Sequence, residues 1–180
     1  MAFILDDLGF EASGIDISNV AITQANKNAL QLNKNIKFDV GDLLKDKPNK
    51  KYDFISDSSC LHCIFFDEER TDFYNYVRAS LNSSDSSFFI HTMISSNNMS
   101  DITNRPYLFL DGSFLWSTGK AEWDIKWYEF DEKKVFPHRR ILSKKELVNE
   151  IESHGLRIME YKINNVEKSA DTFIALLKLK

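Results

Sequence analysis

From Glu11 to Ser95, short apolar runs alternate with segments of helical period, and this alternation limits the fold more than any other feature of the chain. "EASGIDIS" (11–18) reads as a short, mostly buried strand, and "IKFDVGDL" (36–43), "YDFIS" (52–56) and "SFFIHTMI" (87–94) read as three more. Ser18 stands where it can cap a helix over "NVAITQANKNALQLN" (19–33), in which Ile22, Ala25, Ala29 and Leu32 form one apolar stripe. A second helix is predicted from about Asp67 to Leu81, where Phe73, Val77 and Leu81 recur every four residues. "MAFILDDLGF" (1–10) looks like the last turns of another helix, with Gly9 as its stop signal. Strands and helices alternating at this spacing predict βα units and a mainly parallel α/β sheet.

After Ser95 the pattern changes. Residues 96–142 read as an irregular, aromatic-rich stretch carrying Trp116, Trp123 and Trp127, in which "LFLDGSFLW" (108–116) offers an Asp-Gly hairpin turn. Regularity returns at "SKKELVNEIESHG" (143–155), where Ser143 and Glu146 have capping-box spacing and Gly155 can end the helix. "LRIMEYKI" (156–163) and "DTFIALLKL" (171–179) then read as a closing antiparallel strand pair. The expected organisation of the 180 residues is one domain in three stretches: βα units over 1–95, an insertion over 96–142, and a closing helix and strand pair over 143–180.

The net charge of −4 is spread along the chain, which argues against nucleic acid as a partner, because phosphate binding needs a basic face. No apolar run approaches the roughly 20 residues that span a bilayer, and the acidic start of the chain lacks the basic flank of a signal peptide. The only two cysteines, Cys60 and Cys63, make no disulfide framework, and a reducing cytoplasm is the expected location. With His62 they offer three ligands, one short of a structural zinc site, so no metal is expected and the two are read as small buried side chains. Leu61 and Ile64 between and beside them are read as packing inward.

Ligands bind at the carboxyl ends of strands in open parallel sheets, and three such ends here carry acids: Asp16, Asp42 and Asp57. Taken singly, an aspartate after a strand is more often a cap or turn residue; three at successive strand ends are more specific. "GFEASGIDISNVAITQANKNA", "IKFDVGDL" and "YDFISDSSCLHCI" resemble the second, third and fourth motif regions of class I S-adenosylmethionine-dependent methyltransferases. The resemblance implies a Rossmann-like sandwich whose last strand is antiparallel. It implies that Asp16 holds the adenosine ribose, that Ile17 packs on adenine, and that Asp42 accepts from the adenine amino group with Leu43 beside it. It also puts Asp57 and Ser58 at the methionine end. The segment from Asp57 to Leu81, with Arg70 on its helix, is similar to thiopurine- or thiol-type methyltransferases acting on small molecules. Asp57 and His62 are then the catalytic candidates, and His62, Trp116, Trp123 and Trp127 the candidate substrate contacts, with Phe114 and Tyr128 as further wall. His138, Arg139 and Arg140 could meet an anionic group, although a solvated basic loop is the commoner use of such a run; His91 at a strand end is ordinarily structural.

The resemblance departs at the front. A glycine-rich loop is expected about 20 residues before the ribose-binding acid, and counting back from Asp16 runs off the start of the sequence. The chain is therefore expected to be either an N-terminally incomplete methyltransferase or a degenerate relative acting as a non-catalytic partner module; intact later motifs favour the first. An unpaired sheet edge would promote self-association, which sedimentation of the isolated chain tests. A nicotinamide-dependent dehydrogenase is the third reading, since an acid after a second strand also suits that cofactor.

Overall fold

The computed structural model describes residues 1–96, 105–119, 126–167 and 169–180. The chain divides into two units, Met1–Pro48 and Asn49–Lys180.

The first unit is a single βαβ arrangement preceded by a short helix. Helix α1 (Ala2–Asp7) ends where Gly9 turns to a φ of +87°, a left-handed conformation that glycine adopts without strain. Strands β1 (Ser13–Asp16) and β2 (Lys37–Val40) pair in parallel, with Ser13 opposite Lys37 and Asp16 opposite Val40. Helix α2 (Asn19–Gln31) joins them, and the amide of Ala21 donates to its Ser18 cap at 3.2 Å. Of the expected stripe, Ile22 and Ala29 are buried, but Leu32 is 59% exposed because the helix ends one residue before it and its phase is lost. β1 was expected to be mostly buried; a pair of strands has two edges and little cover, and Ile15 and Val40 are 42% and 52% exposed. Gly14 is needed at its position, since a Cβ there would come within 2.6 Å of the Phe38 ring.

The second unit is built on a four-stranded mixed sheet of β3 (Phe54–Ser58), β4 (Ser87–Ile94), β9 (Leu156–Asn164) and β10 (Asp171–Leu179), in the order β3-β4-β10-β9. β3 and β4 are parallel, connected through α3 (Asp67–Ser80), whereas β10 runs antiparallel to both β4 and β9. In β4 and β10 buried and half-buried residues alternate, so Phe88, Ile90, Phe173, Ala175 and Leu177 share the core with Phe73, Val77, Leu147 and Ile151 of the helices. Each such large side chain contributes roughly 1.5–3 kcal/mol by leaving water. Helix α4 (Lys144–Ser153) starts with the expected capping box: the amide of Glu146 donates to Ser143 Oγ at 3.2 Å, and the amide of Ser143 donates to Glu146 Oε2 at 2.8 Å.

Residues 105–119 and 126–142 are less irregular than their sequence suggests. Strands β5 (Leu108–Asp111), β6 (Phe114–Ser117), β7 (Tyr128–Phe130) and β8 (Lys133–Arg140) form an antiparallel sheet in the order β5-β6-β8-β7. It has its own small core of Leu108, Leu115, Ile141 and Ala170, with Met93 and Leu110 against it. Asp111 pairs with Phe114, so the two central turn residues are Gly112 and Ser113, one position later than the Asp-Gly reading. Only Gly112 of that pair has positive φ, +58°, as a type II′ turn requires. The second hairpin turns at Asp131 and Glu132, both at positive φ (52° and 60°), a type I′ geometry built without glycine. Its strand-forming residues lack the strict apolar–polar alternation that periodicity relies on, and the turn lacks its usual signal.

Candidate functional site

Each of the three strand-end acids closes its own turn. In the first unit, Asp16 Oδ1 accepts the amide of Ser18 at 2.7 Å, while its other carboxylate oxygen takes no hydrogen bond among the described residues and the residue is exposed. Asp42 is more engaged: Oδ1 accepts the amide of Leu44 at 3.0 Å and Oδ2 accepts Lys45 Nζ at 2.7 Å. The Lys45 ammonium, together with the Leu44 amide, holds the Asp42 carboxyl below the usual carboxylate range. Ile17 is 69% exposed and Leu43 is half-buried.

In the second unit, Asp57 near the end of β3 is 5% exposed. Its two oxygens accept the amides of Cys60 at 2.7 Å and Leu61 at 3.1 Å, which ties the strand to a single 3-10 turn over Leu61–Cys63. Burial pushes the Asp57 carboxyl up, opposed by these two amides. A 3-10 helix repeats every three residues, so Cys60 and Cys63 fall on one side and the residues between them on another. Leu61 and Ile64 pack inward as expected, at 0% and 7% exposure, but both cysteines are exposed and outside any disulfide, contrary to the buried reading. Ser58 is exposed at the end of β3, and the following Ser59 shares a 2.9 Å hydrogen bond with His91 Nδ1.

His62 points into the interior, 7% exposed. The amide of Met93 donates to its Nδ1 at 3.4 Å, which uses the Nδ1 lone pair and puts the proton of the neutral ring on Nε2. Burial, then the nearby charge of Arg139, lowers its pKa to about 4, so the ring is neutral at physiological pH.

The turn is held from behind by Arg70 of α3. Arg70 is 2% exposed; its Nη1 donates to the carbonyls of Leu61 (2.7 Å) and Ile64 (3.0 Å), and its Nε and Nη2 form a fork on Glu150 of α4 at 2.8 and 2.7 Å. Tyr74 donates its hydroxyl to the same Glu150 carboxylate at 2.8 Å. Nothing in the sequence announces this link: its halves lie 80 residues apart, and Glu150 reads as an ordinary helix residue.

Beyond the turn, Phe65 meets the aromatic face of the antiparallel sheet, with ring centroids 5.0 Å from Phe114 and 4.6 Å from Trp116. Tyr128 joins at 5.8 Å from Trp116, and Phe66 packs on Tyr128 at 5.4 Å. The structure thus brings Trp116, Phe114 and Tyr128 together, adding Phe65 and Phe66, whose place next to the 3-10 turn was legible as "IFF" but not singled out. Trp127 is elsewhere: it is 48% exposed with Lys134 Nζ 4.3 Å above its ring. Trp123 lies outside the described residues. Arg140 extends its guanidinium over Phe114, Cζ 3.7 Å from the ring centroid, and Nη2 lies 3.0 Å from Asp67 Oδ1. Arg140 is therefore no solvated basic loop residue; its side chain is 10% exposed. His138 is half-buried, and burial lowers its pKa.

Residues 1–98 match the family model described as "Methyltransferase domain". The chain belongs to that family. No curated protein matches the methyltransferase-domain chain, but solved structures do. An S-adenosylmethionine-dependent methyltransferase from Methanosarcina mazei is 16% identical with a TM-score of 0.72, over 99% of this chain and 86% of that one. A protein from Pyrococcus horikoshii OT3 is 18% identical with a TM-score of 0.70, over 99% and 76%. The 1,6-didemethyltoxoflavin-N1-methyltransferase of Burkholderia thailandensis, solved with 1,6-didemethyltoxoflavin and S-adenosylhomocysteine, is 12% identical with a TM-score of 0.65, over 99% and 65%. At these identities the likeness is one of fold, and it places the chain in the α/β Rossmann-like methyltransferase architecture. Among the described residues of this methyltransferase-domain chain, no helix is long and apolar enough to cross a membrane.

Proposed function

We propose that this methyltransferase-domain chain transfers a methyl group from S-adenosylmethionine to a small-molecule acceptor. The observation that carries the reading is Asp16: within a chain of this family, it ends its strand exposed, with one carboxylate oxygen that accepts no hydrogen bond among the described residues. A carboxylate in that state fits a ribose, whose two hydroxyls are donors in need of an acceptor. Asp42 fits an amine donor, since each of its engaged oxygens keeps a second lone pair, and Ile17 and Leu43 are the apolar neighbours expected beside adenine. Asp57 and Ser58 are assigned to the methionine end of the cofactor.

When bound, the cofactor supplies a methyl group on a sulfonium, which already contains its leaving group. The chain's own residues then have to align the acceptor and exclude water. Asp57 serves this by anchoring the 3-10 turn, and the turn presents His62 as a neutral ring with Nε2–H as a hydrogen-bond donor. In that tautomer His62 orients an acceptor and does not remove a proton from it. Phe65, Phe114, Trp116 and Tyr128 form the apolar wall for the acceptor.

Calorimetric titration of the chain with S-adenosylhomocysteine tests the reading. Saturable binding is expected, weakened at least tenfold by Asp16→Ala and unchanged when Cys60 and Cys63 are both replaced by alanine. Absence of saturable binding overturns the enzyme reading in favour of a non-catalytic module.

A further inference from the structure

Among the described residues, the buried side-chain nitrogens and oxygens without a hydrogen-bond partner are Ser56 Oγ, Trp116 Nε1, Arg140 Nε and Arg140 Nη1. Three of these four atoms belong to two residues that flank one ring. Arg140 lies 3.7 Å over Phe114, and Trp116 stacks beside Phe114 at 6.5 Å with 28° between the planes. The register explains the juxtaposition: Phe114 is paired with Arg140 across β6 and β8, and Trp116 is two residues along on the same face of β6. All the unmet groups here are donors, and the larger contributor is cationic. Buried donors are ordinarily satisfied, and a charged one without an acceptor is the costliest kind to leave. Among the described residues, the one acid paired with Arg140 is Asp67, which is 75% exposed and engages Nη2.

We propose that Phe114, Trp116 and Arg140 form an oxyanion subsite that binds the carboxylate of a planar, unsaturated acid. The carboxylate meets the guanidinium of Arg140 and the indole N–H of Trp116, and the flat remainder lies among Phe65, Phe114 and Tyr128. A guanidinium matches a carboxylate by its planar donor geometry, and aromatic rings match a flat ligand by area. The donors are closed to water in this conformation, so an occupant enters by displacing covering side chains. The short edge strand β7, which carries Tyr128 and Phe130 against Trp116, is the element with least to hold it. The identification of this acid as the methyl acceptor rests on the function proposed above; the subsite itself does not.

The test is titration of the full chain with benzoate, benzamide and acetate, followed by the indole N–H of Trp116 and the Nε–H of Arg140 in proton–nitrogen NMR spectra. Benzoate is expected to shift both signals saturably, with affinity at least tenfold above benzamide, which lacks the charge, and acetate, which lacks the ring. Arg140→Gln should weaken benzoate at least tenfold, Asp67→Asn should tighten it several-fold by removing the competing acid at an exposed position, and Trp127→Phe should change nothing. Benzamide binding as tightly as benzoate, no saturable shift at either signal, or an affinity indifferent to Arg140→Gln overturns the subsite. If Arg140→Gln does not fold, an unchanged affinity in Asp67→Asn overturns it alone. The readout needs neither cofactor nor methyl transfer, so failure to bind S-adenosylhomocysteine and failure to bind benzoate are separate results.

Discussion

Arg70 and Arg140 are both buried arginines next to the N-terminal half of α3, and they are held in opposite ways. Arg70 has acceptors on Nε, Nη1 and Nη2, supplied by one carboxylate and two main-chain carbonyls. Among the described residues, Arg140 has one acid on Nη2, with Nε and Nη1 unmet. Burial alone therefore does not tell a structural arginine from a recognition residue; the accounting of its donors does. Around Arg70 two helices and a turn are tied into one rigid support, whereas around Arg140 an aromatic face carries donors that no described residue satisfies.

The largest expected effect separates the two. Arg70→Leu leaves the Glu150 carboxylate and two turn carbonyls without their partner and should cost about 3–5 kcal/mol in denaturant unfolding. Arg140→Leu exchanges poorly satisfied donors for an apolar side chain and should cost less than about 1 kcal/mol. Equal losses would erase the distinction.

Next comes the pH response of the turn that Arg70 supports. The pKa of His62 is lowered to about 4 in the folded chain, against an ordinary 6.5. Between these values the unfolded chain binds more protons, so His62 lowers stability as pH falls from 6.5 toward 4. The full loss is on the order of 3 kcal/mol, at about 1.4 kcal/mol per pKa unit. Thermal unfolding of the wild type and of His62→Asn across this range should differ in slope, the variant being flatter. Parallel curves would mean that His62 is not held neutral by burial.

Asp57→Ala tests the other end of the same turn. It strands the amides of Cys60 and Leu61 and should cost about 1–3 kcal/mol, with Asp57→Asn recovering part of it because one oxygen remains. Should the two variants be equally destabilised, the charge of Asp57 would matter more than its two hydrogen bonds.

The smallest effect concerns the aromatic sheet. Replacing Asp131-Glu132 by Asn-Gly should raise stability by about 1 kcal/mol, since both positions have positive φ and these residues suit that conformation better.

How much of this was legible differs between the regions. The parallel units, the Ser18 and Ser143 caps and the closing strand pair each follow from local pattern: apolar residues at period two or near four, a capping hydroxyl, a stop glycine. The same local reading failed for Cys60 and Cys63, where the three-residue period of a single turn points both thiols outward, and for residues 105–119 and 126–142, where two hairpins paired through β6 and β8 have neither clean alternation nor glycine at both turn positions. Of the aromatics expected to meet substrate, Trp116 and Trp127 look alike in sequence and part company only in the fold, one facing Phe65 and the other facing solvent beneath Lys134.

By itself the sequence determined the α/β class, the order of elements before residue 96 and after residue 142, and the acids at the strand ends, because hydrophobic period, caps and turn residues act over a few neighbours. Tertiary structure alone decided that Glu150 answers Arg70 across 80 residues, and that Arg140 crosses Phe114 with donors unmet. Hydrogen-bond satisfaction depends on which atoms meet in space, and chain order does not encode that locally.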